Sequence, residues 1–139
     1  MREQRLGIQI HPARLIRTFH VHGRVGNANF SHIRKELLRS DLPVKDTYGV
    51  VAIDEKTRQL ADTLLQHDAI ARISIDRTYV DVELNGMFYW HDIQDDIIDA
   101  ILTRLGWRKS RTDIMSYNDF QHRAKLSDAN TVPKDRIAR

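Results

Sequence analysis

Apolar and polar positions alternate twice near the start of the chain. Ile8-Gln9-Ile10 and the stretch from Leu15 to His22 flank Pro12, which cannot donate to a strand ladder, and together they predict a β-hairpin. A turn cluster of Gly23, Gly26, Asn27 and Asn29 follows. Phe30, Ile33, Leu37 and Leu38 then recur at helical spacing, which predicts a first helix of about three turns ending near Ser40 and Pro43. Tyr48 to Ile53 is a short continuous apolar run and predicts a buried strand. Asp54 is placed to cap a second helix, whose Leu60, Ala61, Leu64 and Leu65 share one face and which ends at His67 and Asp68.

A second hairpin follows from the alternation of Ala71, Ile73 and Ile75, a turn at Asp76-Arg77, and Val80, Val82 and Leu84 interleaved with Tyr79, Asp81 and Glu83. One face of such a hairpin is apolar and the other wet. After the turn at Asn85-Gly86, a third helix is predicted from about Asp92 to Leu105, stopped by Gly106. Its Ile93, Ile97, Ile98, Ile101 and Leu105 gather on one side, with Asp92, Asp95, Asp96 and Asp99 opposite. Ser116 with Asp119 makes a capping box for a short helix over Tyr117 to Leu126. The order suits an α+β domain over residues 1–106, an antiparallel sheet with helices packed on one face. Residues 107–139 then form a basic tail, whose end SDANTVPKDRIAR has almost no apolar anchors and is expected to be mobile until a partner orders it.

Charge sharpens this division. Residues 1–40 carry eight Lys/Arg against two acids, residues 41–103 five against thirteen, and residues 104–139 nine against four. Basic flanks around an acidic middle can hold something anionic, or clasp a second copy through opposite charges. With 139 residues the chain suffices for one core without staples, and the absence of cysteine excludes disulfides, thiol nucleophiles and thiolate metal sites. No apolar run approaches the roughly 18 residues of a membrane span, and MREQRLGIQIHPARL lacks the apolar stretch of a secretory signal, so a cytoplasmic address is expected.

Candidate chemistry is sparse. His20 and His22 project from one strand face with His11 on the neighbouring strand, a set that three-histidine zinc ligation would need, but no metal-binding signature accompanies them. Surface or hydrogen-bonded histidines are the expectation, with no metal and no cofactor. The four aspartates of the third helix read as a solvated face open to protein contact. Arg104, Arg108, Lys109 and Arg111 surround Trp107, an arrangement that can neutralise phosphates and stack on a base, unless the indole folds back on the core. Trp107, Tyr117 and Phe120 are alternatively the aromatic anchors of a docked segment. A P-loop, Gly-x-Gly-x-x-Gly and Gly-x-Ser-x-Gly are all lacking, and His91-Asp92 alone is no triad, so enzymatic activity is not expected.

The stretch LADTLLQHDAIARISIDRTYVDVELNG, followed by WHDIQDDIIDAIL, resembles the N-terminal domain of the NifU-like (Nfu) scaffold proteins, with Trp90 at that family's tryptophan. IQIHPARLIRTFHVHG is similar to the family's first hairpin without its Pro-Asn-Pro-Asn turn, and the helix from Phe30 to Leu38 looks like an insertion. The likeness spans most of residues 6–105 and implies the fold and a partner-binding role. The family's cluster chemistry sits in a separate domain with a Cys-x-x-Cys pair, and this cysteine-free chain carries no such pair, so iron–sulfur transfer is not implied. The expected function is therefore a non-enzymatic adaptor, inhibitor or small structural subunit. Its partner would be another protein, a larger assembly or a second copy, and the alternative is binding of nucleic-acid backbone through the basic flanks.

Overall fold

The computed structural model describes residues 3–26, 30–34 and 55–123. Its strands are β1 (Arg5–Ile10), β2 (Ile16–Val21), β3 (Phe30–Arg34), β4 (Ile70–Ile75), β5 (Tyr79–Leu84) and β6 (Asp113–Ser116). The helices are α1 (Glu55–Leu65), α2 (Trp90–Leu105) and α3 over 117–123, with a 3-10 turn at Lys109–Arg111 before β6. The two predicted hairpins, β1–β2 and β4–β5, lie side by side through an antiparallel β2–β5 pair. Among the described residues the order is β3-β4-β5-β2-β1-β6, in which β1–β6 is parallel and the other pairs antiparallel. The chain is an α+β fold, as the element order implies.

Alternation assigns the sheet two unlike faces. Ile8, Phe19, Val80 and Ile75 form one row across the apolar face, and Leu6, Val21, Val82, Ile73 and Leu84 extend it. α1 brings Leu60, Ala61, Leu64 and Leu65 onto this face, and α2 brings Ile93, Ile97, Ile98, Ile101 and Leu102. Each fully buried aliphatic side chain removes apolar surface worth about 2 kcal/mol, so this layer supplies most of the folding drive. A bulge between Ile70 and Arg72 adjusts β4: Ile70 stays opposite Leu84, while Arg72 comes opposite Glu83 on the other face. Ala71, which simple alternation would bury, is exposed instead.

Two sequence expectations need correction. Residues 30–34 are a strand paired with β4, not the start of a helix or of a helical insertion. The spacing of Phe30 and Ile33 suits a helix, but an aromatic and a β-branched residue also suit a strand, and the open ladder of β4 decides. Residues 35–40 of that predicted helix, the predicted strand Tyr48–Ile53, the Asp54 cap and residues 124–139 lie outside the described residues.

The second correction concerns the boundary after Gly106, which falls inside the folded unit. Gly106 adopts φ 71°, and its N–H donates to Thr103 O while that of Trp107 donates to Leu102 O. This paired closure reverses the chain at the end of α2. Trp107 is thereby laid against Gly23, and the chain is returned to the free edge of β1, where β6 pairs with it from Arg5↔Asp113 to Ile8↔Ser116. Ser116 then caps α3 through Asp119 N–H→Oγ (3.2 Å), as the capping box predicts. α3 lies over the face opposite to α1 and α2, its Phe120 so close that a Cβ on Gly7 would sit 2.5 Å from the Phe120 Cβ.

Candidate functional site

The face of the sheet away from α1 and α2 is polar, and three rows of side chains cross it. Gly7, His20 and Tyr79 form the first, Gln9, Thr18, Asp81 and Ser74 the second, and Ile16, Glu83 and Arg72 the third. Among the described residues α3 covers the first row: Tyr117 stacks on His20 with ring centroids 3.9 Å apart, and Phe120 covers Gly7. The second and third rows form, among the described residues, an open groove of about 390 Å³, lined by His11, Arg72, Ser74, Tyr79, Asp81 and Glu83 among others.

Hydrogen bonds fix the groove's orientation. Thr18, 3% exposed, donates its hydroxyl proton to Asp81 Oδ1, so it accepts from His11 Nε2 at 2.7 Å, which assigns the proton on that ring nitrogen. Arg72 and Glu83 form an ion pair at 2.7 Å. Tyr79 donates to Asp76, and that bond, with burial and the nearby carboxylates, raises the phenol above its ordinary value. Burial under Tyr117 and Phe120 lowers the His20 pKa; Asp81 opposes that shift and His11 adds to it.

The sheet end beyond the third row is apolar. Ile10 at the end of β1 is 69% exposed, and Met87 and Tyr89 in the β5–α2 loop are 85% and 57% exposed. β1 and β5 run in the same direction, so all three lie toward one end of the sheet, Ile10 in the row of Arg17 and Val82. That end is braced: Trp90 Nε1 donates to Arg14 O at 2.7 Å, Arg14 reaches Gly86 O at 3.4 Å, and its guanidinium lies 5.6 Å from the Tyr89 ring centre. Beneath, Arg17 lies over the Trp90 ring and donates to Gln94.

A larger hollow of about 760 Å³ lies between α1 and α2. Its walls set Lys56 and Arg104 against Asp96 and Asp99 and carry no net charge, whereas the polar-face groove sets Asp81 and Glu83 against Arg72 alone.

The residues singled out from the sequence are scattered. Trp107 is half-buried against Gly23 and the core. Tyr117 and Phe120 are half-buried on α3 and pack within this chain on His20 and Gly7. Asp92, Asp95, Asp96 and Asp99 are exposed along α2; Asp96 meets His67 at 3.2 Å and Asp99 meets Lys109 at 3.3 Å. Arg108 and Arg111 are exposed, while Arg104 is partly buried. The first-hairpin histidines diverge: His11 bonds to Thr18, His20 to Gln9 (2.8 Å) and His22 to Arg5 (2.9 Å). Among the described residues no three His, Asp or Glu side chains converge on a metal position.

Sequence reasoning passed over Ile10, Met87 and Tyr89, which are unremarkable singly; the parallel run of β1 and β5 brings them to the same end of the sheet. It also read Asp81 and Glu83 only as a wet strand face. No protein-family model, curated protein or solved structure matches the chain.

Proposed function

We propose that this is a non-catalytic, cytoplasmic domain that binds another protein through the sheet end formed by Ile10, Met87 and Tyr89. The exposure of these three large side chains on one braced surface carries the reading. Isolated apolar residues on a surface are ordinary, but exposed Met87 and Tyr89 in the loop held by Arg14, with Ile10 at the same end of the sheet, have the composition of an interface centre. Bracing lowers the entropy lost on docking, because Trp90 and Arg14 hold the loop before a partner arrives. The partner-binding role implied by the Nfu resemblance agrees with this reading. Binding of nucleic acid is less well supported, since Trp107 is packed inward and Lys109 is engaged with Asp99.

Affinity capture with the full chain, followed by mass spectrometry, tests the proposal. Partners should be kept by wild type and by Arg108→Ala with Lys109→Ala, and lost by Met87→Asp with Tyr89→Ala, with nuclease making no difference. A second copy of the chain as partner would appear as tip-dependent self-association in sedimentation. Loss of capture on nuclease treatment, or in the basic double variant alone, would overturn the proposal in favour of nucleic acid.

A further inference from the structure

We infer that the groove on the polar face seats the ammonium or guanidinium end of a lysine or arginine side chain from the docked protein, against Asp81. The inference rests on the docking reading above and names what the partner must present. Glu83 is neutralised by Arg72, whereas no ion pair joins Asp81 to a cation among the described residues. The Asp81 carboxylate cannot turn away, because Thr18 holds one oxygen and is itself held by His11. A half-buried, oriented and uncompensated carboxylate favours a cation with hydrogen-bond donors and repels phosphate. Tyr79 beside it adds a ring face for that cation, and Ile16 supplies apolar contact for the methylenes of a long side chain.

Position links the groove to the tip. His11 directly follows Ile10 in the chain, and the Ile16–Glu83–Arg72 row is the last before the sheet end from which Met87 and Tyr89 project. A partner segment with apolar residues next to a lysine or arginine would therefore meet both surfaces at once. A hard divalent ion is a poorer occupant, since it requires six or more oxygen ligands or a tight octahedral set, and no such set converges here among the described residues.

The test is amide chemical-shift titration of the ¹⁵N-labelled full chain with three probes: acetyl-Leu-Lys-Leu-amide, the same peptide with norleucine in place of lysine, and N-acetyl-lysinamide. The lysine peptide should shift Ser74, Tyr79 and Asp81, and the norleucine peptide should bind at least tenfold more weakly. Asp81→Asn, which still offers Thr18 an acceptor, should weaken the lysine peptide at least tenfold and leave the norleucine peptide unchanged. Arg72→Gln, which frees Glu83, should tighten the lysine peptide severalfold. Absence of shifts on the polar face, or wild-type affinity in Asp81→Asn, would overturn the inference. N-acetyl-lysinamide binding as tightly as the peptide would also overturn it, since the groove would then be a site for free amines. In Met87→Asp with Tyr89→Ala, N-acetyl-lysinamide should still shift the groove, so loss of partner capture and loss of cation binding are read separately.

Discussion

Arg5 is a long charged side chain left only 2% exposed, and it does what an apolar residue there could not. Its guanidinium donates to Phe120 O at 3.3 Å and to His22 Nδ1 at 2.9 Å, and it lies 5.3 Å from the centre of the Phe120 ring. Its Nε is 3.3 Å from Glu3 Oε2, an ion pair without the alignment of a hydrogen bond. The cation thus ties β1 to α3, while Gly7 next in line leaves room for Phe120. Removing the side chain opens a cavity and strands a carbonyl, whereas an apolar chain of similar length fills the space. Arg5→Ala should therefore cost about 3 kcal/mol in urea unfolding, and Arg5→Met clearly less. Equal losses in the two variants would show that the charge, not the packing, is what matters.

At the scale of elements, the C-terminal segment decides how the first strand is protected. β6 covers the outer edge of β1, and α3 covers Arg5, Gly7 and His20. An exposed edge strand with a buried arginine beneath it is poorly stable. Ending the chain at Gly106 should thus lower the urea midpoint sharply or abolish cooperative unfolding, and hydrogen exchange of β1 amides should accelerate most. A truncated chain with the wild-type midpoint would show that β6 and α3 contribute nothing to the fold. The pairing of α1 and α2 on the apolar face is the more conventional half of the architecture, each helix burying one stripe.

At the scale of the whole molecule, the sheet separates stability from recognition. Among the described residues its apolar face is closed by two helices, and its polar face is half open between α3 and the sheet end. Among the described residues no helix is long and apolar enough to cross a membrane. The polar face also makes stability depend on pH. His20 is held below its ordinary pKa by burial, so the unfolded chain binds a proton there more readily than the folded one. Stability should be fully present above about pH 6.5, and should fall as pH drops through that value toward the lowered pKa of folded His20. Urea midpoints at pH 7.5 and 5.5 should show this fall, and His20→Gln should show a smaller one. An identical fall in that variant would place the titration on other histidines.

The α+β class, both hairpins, the faces of α1 and α2, the stop at Gly106 and the Ser116 cap were legible in the sequence, because each depends on neighbours within about a dozen positions. Apolar residues at period 2 or 3.6 state which side must be covered, and a glycine or serine at an end states where an element stops. The strand at Phe30 was not legible, since its spacing fits both structures and the unpaired edge of β4 chooses between them. Nor was the inclusion of β6, four residues whose pairing partner lies more than a hundred positions away. The same holds for the two surfaces on which the function is proposed. Ile10 lies toward the same end of the sheet as Met87 and Tyr89, and His11 meets Asp81 through Thr18, only because β2–β5 pairing joins the two hairpins in one register. Local pattern specifies which residues are buried or exposed; long-range pairing specifies which exposed residues become neighbours, and chemistry at a surface depends on neighbours.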